Sequence, residues 1–188
     1  MAELGGKVAV ITGAGSGMGR SSAAVFVREG AKVLAADISS RQEETAQALG
    51  DAVVPCQVDV AEEASVEAMF AAAVEAFGKV DAVLNVAGIG THAPLAGVIS
   101  FTKAAAIEYG TQAIRANAIC PGFIETEMSG GKGAAERFPA LVKGSALRRG
   151  GQPEEVAELA SFLASDRATF MTGAVIPIDG GSTCSLPS

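Results

Sequence analysis

The sequence predicts an α/β protein in which a doubly wound parallel sheet is covered by helices on both faces. Its first half alternates short apolar runs with helical segments of about 10 to 15 residues, which is typical of βαβ units. Right-handed crossovers then place helices on both sides of the sheet. Gly accounts for 23 of the 188 residues and stands where turns and helix caps belong. We therefore expect three layers and one domain over residues 1–188.

Four strands and three helices are predicted up to Ala87. Lys7–Thr12 is a continuous apolar run, as expected of a strand buried on both faces. A helix over Met18–Glu29 follows, closed by Gly30. The next elements are a strand at Val33–Asp37, a helix opened by a capping box at Ser40–Glu43, a strand at Val53–Asp59, a helix with an apolar stripe over Val66–Phe77, and a strand at Val80–Ala87.

The second half is less regular. Its predicted elements are a helix over Val98–Tyr109, a strand over Ile114–Cys120, a helix opened by Pro153 and a last strand over Val175–Ile178. Residues 123–151, here called the excursion, predict an irregular substrate-lid region with one short helix around Ala134–Val142.

Composition excludes several function classes. A net charge of −7 argues against a nucleic-acid phosphate surface. No apolar run approaches the roughly 18 residues of a membrane span, and the first residues do not resemble a secretion signal. Three cysteines without metal-like spacing predict free thiols and no metal site. We expect a cytoplasmic protein.

A glycine-rich turn separates the first strand from the first helix. Glycines there permit a tight turn and bring backbone N–H groups close to a pyrophosphate at the helix N-terminus, where the helix dipole favours anions. The purely structural alternative is a turn whose glycines only allow the helix to pack on the strand. The residues predicted to hold the cofactor phosphates are Gly13, Ser16, Gly17, Met18 and Gly19.

Asp37 ends the second strand, 18 residues beyond Gly19. A carboxylate at this position accepts hydrogen bonds from the adenosine ribose hydroxyls and repels a 2′-phosphate. Neither Ser16 nor Ile38 supplies a cation for that phosphate, so NAD is expected rather than NADP. The alternative is that Asp37 is an ordinary solvent-exposed residue at the end of the strand, with no role in binding.

Five motifs in order resemble the short-chain dehydrogenase/reductase family, over nearly the whole chain. They are Thr12-Gly13 with Gly17 and Gly19, Asp59-Val60, Asn85-Val86-Ala87-Gly88, Pro121 to Thr126, and Asp179-Gly180-Gly181. The resemblance implies a Rossmann-type sheet that binds NAD(P) and hydride transfer between a carbonyl and an alcohol. By position, it implies adenine contacts from Asp59 and Val60, nicotinamide-ribose contacts from Asn85, Ala87 and Gly88, and carboxamide contacts from Pro121, Gly122, Ile124 and Thr126. Without the family resemblance, each of these residues would be interpreted as an ordinary turn residue.

The catalytic Ser and Tyr-x-x-x-Lys set of that family is absent. The one tyrosine, Tyr109, is followed four residues later by Ala113, and its place on the helix predicts a packing role. Ser100 and Lys103 are helical positions downstream of the catalytic ones. Only seven residues separate Gly88 from Ala96, where the family has a helix, a strand and the Tyr-x-x-x-Lys turn.

Two explanations of this gap compete. Either the chain has lost a helix–strand unit after strand four, or residues of a longer protein are missing and the remainder is numbered continuously. We favour the second, because a deletion leaves an unpaired flank beside strand four. If the chain is continuous, Ile114–Cys120 would have to lie beside that strand instead. His92 is the only histidine, and if the deletion is real it is the only near-neutral proton carrier near the cofactor edge.

The prediction is an NAD-linked short-chain oxidoreductase for a small secondary alcohol or carbonyl, lacking the proton-transfer residues. A non-catalytic NAD-binding or interaction module is the alternative, and a methyltransferase is a weaker one. The family resemblance also implies a homo-oligomer, a tetramer or dimer, through helices around 97–110 and 153–164.

Overall fold

The protein is described by a computed structural model that covers residues 2–89 and 96–184. The described residues form two compact units. Unit 1 comprises residues 2–89 and 153–164, and unit 2 comprises residues 96–152 and 165–184. The single domain over 1–188 stays a prediction.

All six strands and six α-helices that the sequence predicts are present among the described residues. In chain order they are β1 (Val8–Thr12), α1 (Gly17–Arg28), β2 (Lys32–Asp37), α2 (Gln42–Leu49), β3 (Val53–Gln57), α3 (Glu63–Phe77), β4 (Ala82–Asn85), α4 (Ala96–Tyr109), β5 (Ala118–Pro121), α5 (Ala134–Arg137), α6 (Pro153–Ala164) and β6 (Val175–Ile178). Unit 1 contains every element up to β4 together with α6, and unit 2 contains the others.

Unit 1 is built on a parallel sheet in the order β3-β2-β1-β4. All five residues of β1 are buried, because β2 and β4 flank the strand and helices cover both faces. On one face, Val10 and Leu34 pack against Met69 of α3. The opposite face meets α1, whose Phe26 is 1 % exposed. The three-layer, doubly wound arrangement is thus confirmed within unit 1.

Helix α6 packs on α1, although the two helices are far apart in sequence. Arg28 pairs with Glu158 at 2.8 Å, and the Ser21 hydroxyl donates to Glu154 at 3.4 Å. These polar contacts are exposed, so buried apolar residues such as Ala157 and Ala160 hold the packing. The chain therefore leaves unit 1 after β4 and returns to complete its outer layer.

Unit 2 contains a two-stranded parallel sheet in which Ala118 pairs with Val175 and Pro121 with Ile178. Strand β5 begins later than the sequence predicts. Ala113 takes a left-handed conformation at φ 61°, and Ile114 is half exposed before pairing with β6 begins. Ladder pairing with β6, rather than apolar character, sets the start of the strand. A chain without missing residues would require Ile114–Cys120 to lie beside strand four. Among the described residues, β4 pairs with β1 and β5 pairs with β6.

One further local prediction is wrong. The capping box at Ser40–Glu43 does not form: Ser40 adopts φ 64°, and α2 begins at Gln42 without a side-chain cap. The neighbouring Ser39 hydroxyl donates instead to Asp37. The helix that the apolar stripe over Val66–Phe77 predicts is confirmed, although Val74 in that stripe is 51 % exposed.

Candidate functional site

The turn between β1 and α1 lies against the end of β4. Gly13 has φ 69°, and a Cβ at this residue would stand 2.9 Å from the amide nitrogen of Ala87. The Thr12 hydroxyl accepts hydrogen bonds from the amides of Val86 and Ala87, both at 3.1 Å. The sequence thus needs a glycine at 13 for two reasons, backbone conformation and close approach of the β4 loop.

The same turn presents the N-terminus of α1, whose own first turn carries no negative charge. Gly19 allows the helix to approach the turn, since a Cβ there would lie 2.1 Å from the carbonyl oxygen of Gly13. Ser16 is the extended N-cap residue, and its side chain makes no capping hydrogen bond. No acidic residue occupies the first turn of this 12-residue helix. Unsatisfied N–H groups and the helix dipole make such an end suitable for a diphosphate.

Asp37 is fixed against this turn by three donors. Its Oδ2 accepts from the Gly15 amide at 2.9 Å, and its Oδ1 accepts from the Ser39 amide at 2.9 Å and the Ser39 hydroxyl at 2.7 Å. Burial by itself raises the pKa of Asp37, but these hydrogen bonds and the charge of Arg41 outweigh it and lower the pKa below its ordinary value. The carboxylate is therefore ionised at neutral pH and pre-oriented to accept hydrogen bonds from a sugar diol.

Arg41 is a site residue that sequence reasoning missed. It lies beside Asp37, and its Cβ is 3.1 Å from the position that a Cβ on Gly15 would take. Neither Ser16 nor Ile38 supplies a cation, but the turn after β2 folds back and brings Arg41, four positions beyond Asp37, to the glycine-rich turn. The signal was a basic residue at the start of α2.

The carboxyl ends of all four strands of unit 1 lie at one edge of the sheet, where ligands bind in open α/β folds. Asp59 follows β3 and forms a local turn, with its Oδ1 accepting from the Ala61 amide at 2.9 Å. The side chain of Val60 is 49 % exposed. Three further predicted residues, all exposed, follow at the end of β4: Asn85, Ala87 and Gly88. Unit 1 thus brings its predicted cofactor residues to one edge.

The remaining predicted cofactor residues belong to unit 2 and follow β5. Gly122 is required by close packing, because a Cβ there would lie 2.7 Å from the Cα of Asp179 after β6. Ile124 is buried and pairs with Gly151 in an isolated parallel bridge. The Thr126 amide donates to the Ser129 hydroxyl at 2.8 Å. The loop Pro121–Thr126 is therefore tied to both β6 and the end of the excursion.

The closing Asp179-Gly180-Gly181 motif organises the same unit. Asp179 accepts from the amides of Gly181 at 2.9 Å and Thr183 at 2.8 Å, and the hydrogen bonds from Thr183 are the main reason that its pKa is lowered. The Gly180 carbonyl accepts from the Ser145 hydroxyl at 2.9 Å. The motif thus holds part of the excursion, a structural role that the sequence did not reveal.

No proton-transfer centre is visible in the described part of the chain. Tyr109 ends α4 and is 40 % exposed, and its packing role stays a prediction. Ser100 and Lys103 are likewise exposed. His92 lies outside the described residues, as does most of the segment between Gly88 and Ala96 on which the two explanations of the gap depend.

Within residues 2–89 and 96–184, no cluster of three or more His, Cys, Asp or Glu side chains could hold a metal ion. The same part of the chain contains no helix long and apolar enough to cross a membrane. Cys56, Cys120 and Cys184 are all free thiols.

Comparison with protein families gives two adjoining matches. Residues 7–96 match the model described as short chain dehydrogenase, and residues 91–183 match the model described as Enoyl-(Acyl carrier protein) reductase. Together they span both units.

Curated relatives agree with this assignment. The chain is 32 % identical to Oxidoreductase UcpA of Salmonella typhimurium over 254 aligned positions, with 97 % of each chain covered. It is 31 % identical to 3-oxoacyl-[acyl-carrier-protein] reductase FabG of Thermotoga maritima over 248 positions, covering 95 % of this chain and 98 % of the relative.

Solved structures share the fold. The 3-ketoacyl-(acyl-carrier-protein) reductase from Brucella melitensis, complexed with NADH, matches with a TM-score of 0.84 at 29 % identity. The match covers 96 % of this chain and 99 % of that one. A short chain dehydrogenase from Bacillus anthracis matches with a TM-score of 0.87 at 26 % identity, covering 99 % of this chain and 100 % of that one.

Proposed function

The chain belongs to the short-chain dehydrogenase/reductase family of oxidoreductases, and on that premise we propose that unit 1 binds NAD. The observation that carries the proposal is Asp37, held by the Gly15 amide at the mouth of the glycine-rich turn. An ionised carboxylate there would accept hydrogen bonds from the ribose diol and repel a 2′-phosphate. Arg41 beside it argues in the opposite direction, so the preference for NAD over NADP depends on the negative charge of Asp37.

The residues present fit a dinucleotide. The turn lacks a Cβ at the positions where backbone approaches backbone, Gly13 and Gly19, so its amide groups remain accessible to a diphosphate. Met18 and Gly17 would donate at the start of α1, and Asp59 with Val60 would flank the adenine. Asn85, Ala87 and Gly88 would contact the nicotinamide ribose.

The proposed reaction class is hydride transfer between nicotinamide and a secondary alcohol or carbonyl. The bound nicotinamide supplies the hydride acceptor or donor, and this chain's residues orient the cofactor. In the family, a Tyr moves the hydroxyl proton, a Lys lowers the pKa of that Tyr and a Ser polarises the carbonyl. None of these groups has a counterpart in the sequence, and only seven residues separate Gly88 from Ala96, where the family has a helix, a strand and the Tyr-x-x-x-Lys turn. We therefore expect NAD binding with little or no turnover.

A non-catalytic NAD-binding or interaction module is the second candidate, favoured by that missing set. Purified chain with NAD and a panel of simple secondary alcohols, or with NADH and a short 3-oxoacyl thioester, separates the two. A change in absorbance of the reduced nicotinamide above the no-protein background supports the enzyme. NAD binding without such a change supports the module, and no binding of either nicotinamide cofactor contradicts both.

We also propose that the chain forms a homo-oligomer through α4. Its mostly apolar sequence leaves Val98, Phe101 and Ile107 between 62 % and 83 % exposed, which is typical of a contact surface rather than a free helix. Sedimentation equilibrium of the wild type and of Phe101→Glu tests this, and a wild-type monomer would contradict it. The three free thiols accord with the reducing cytoplasm as its compartment.

A further inference from the structure

One carboxylate in unit 2 joins both ends of the excursion. Glu125 accepts from the Ala135 amide at 2.9 Å through Oε1, and from the Gly133 amide and the Gln152 side-chain amide, both at 3.1 Å, through Oε2. Its own amide donates to the Gly151 carbonyl at 2.9 Å. A single side chain thus ties the start of the excursion to α5 and to the residues at its end.

These contacts favour the ionised form of Glu125. Hydrogen bonds from Ala135, Gln152 and Gly133, in that order, lower the pKa of the carboxyl below its ordinary value, and the nearby charge of Arg137 acts in the same direction. A carboxylate with several donors makes stronger hydrogen bonds than a neutral amide does. Replacement by Gln keeps the size of the side chain but removes the charge from this cluster.

The backbone at Gly150 packs closely against the Glu125 side chain. A Cβ on Gly150 would lie 2.8 Å from the Glu125 Cγ and 3.4 Å from the Cβ of Ala135. The backbone of Gly150 is not in the left-handed region, so space rather than conformation is what requires glycine here. The end of the excursion is therefore shaped around this side chain.

Glu125 also stands between two predicted cofactor residues, Ile124 and Thr126. We propose that Glu125 is a positioning residue for the nicotinamide end of the cofactor: its carboxylate holds the Pro121–Thr126 loop and the excursion as one ordered piece. This inference rests on the proposed NAD binding. Since Glu125 acts through the backbone of its loop, it affects the nicotinamide contacts and leaves the adenosine and diphosphate contacts of unit 1 unchanged.

Glu125→Gln tests the inference with two ligands, NAD and ADP-ribose, which lacks the nicotinamide. The variant should bind NAD about tenfold more weakly, the effect of losing roughly one charge-assisted hydrogen bond. Its affinity for ADP-ribose should match the wild type. The control is Glu136→Gln, which removes an exposed carboxylate from the same segment and should change neither affinity. Equal loss for both ligands, or no loss for NAD, would overturn the proposal.

Limited trypsin digestion tests the order of the excursion without any cofactor. The excursion contains five cleavage sites, at Lys132, Arg137, Lys143, Arg148 and Arg149. Glu125→Gln should be cut there about tenfold faster than wild type, while cleavage in unit 1 keeps its rate. If wild type binds neither ligand, the proposed function fails, and with it the cofactor role. Trypsin then still decides whether Glu125 orders the excursion, and wild-type cleavage rates would refute that too.

A steric variant separates position from charge. Gly150→Ala keeps the carboxylate but forces it from its place, so it should weaken NAD binding and speed excursion cleavage in the same direction as Glu125→Gln. Gly144→Ala is the matched control, because a Cβ there meets nothing within 4 Å. If Gly150→Ala behaves like Gly144→Ala, the position of Glu125 does not matter and the proposal falls.

Discussion

Unit 1 and unit 2 differ in how completely their central strands and helices are buried. In unit 1, β1 is buried throughout, and the glycine-rich turn, Asp37 and the end of β4 are joined by hydrogen bonds. Unit 2 has a two-stranded sheet, and α4 leaves large apolar side chains exposed. Unit 1 thus contains the turn and the carboxylate that we propose bind the adenosine and diphosphate of the cofactor, and no Tyr-x-x-x-Lys set accompanies them in either unit.

The largest expected effect is on the turn of unit 1. Gly19→Ala places a methyl group 2.1 Å from the Gly13 carbonyl oxygen, so backbone must shift. We expect a loss of about 3 kcal/mol in the free energy of unfolding, measured by urea denaturation, together with loss of NAD binding. Gly97→Ala in α4 meets nothing within 4 Å and should raise stability by up to about 1 kcal/mol. Similar behaviour of the two variants would contradict the contrast between the units.

Asp37→Ser should change cofactor preference more than stability. Removal of the carboxylate takes away the acceptor for the ribose diol and leaves the charge of Arg41 for a 2′-phosphate. We expect NAD affinity to fall by about tenfold or more, and NADP affinity to rise. Titration with both cofactors measures this, with the exposed Asp51→Ser as control. An unchanged ratio of the two affinities would show that Asp37 does not select the cofactor.

A smaller effect concerns acid stability and Asp81, at the other end of the unit 1 sheet. Burial raises the pKa of Asp81, but Lys79 and the Val8 amide, which donates at 2.7 Å, outweigh it, so the pKa is lowered. The stabilisation is present above the unfolded-state pKa of about 3.9 and is lost as pH falls through the lower folded-state value. Asp81→Asn should therefore cost about 1 kcal/mol at neutral pH and less in acid. Urea midpoints across that range test this, and a cost independent of pH would refute it.

The smallest effect is expected at Arg28. Its ion pair with Glu158 joins α1 to α6, but both side chains are more than half exposed, and solvent and salt screen such pairs. Arg28→Gln should leave the thermal midpoint of unit 1 within experimental error, at low and at high salt. A clear destabilisation at low salt would show that this pair, rather than buried apolar contact, attaches α6.

Sequence patterns predicted the fold well where the chain is regular. The apolar run of β1 and the glycine caps at Gly30 and Gly78 depend on local chemistry that a sequence displays directly. The predictions failed where tertiary contacts decide. The Ser39 hydroxyl, rather than that of Ser40, makes the local hydrogen bond, because Asp37 accepts it. The start of β5 follows the register with β6.

Part of the proposed site was likewise predictable from local spacing. The glycine-rich turn and Asp37 follow from spacing, and the structure places them in contact at 2.9 Å. Arg41 and Glu125 could not be found in this way, because their roles depend on how a turn and the excursion fold back. Glu125 is one acidic residue among 21 in the sequence, and only its three donors distinguish it.

Isothermal titration of the purified chain with NAD tests the central claim most directly. We predict one saturable site per chain, with binding retained although the Tyr-x-x-x-Lys set is absent, because the turn and Asp37 are complete within unit 1. Absence of heat with both NAD and NADP, from a chain shown to be folded by its circular dichroism, would contradict the claim that this polypeptide carries a working cofactor site.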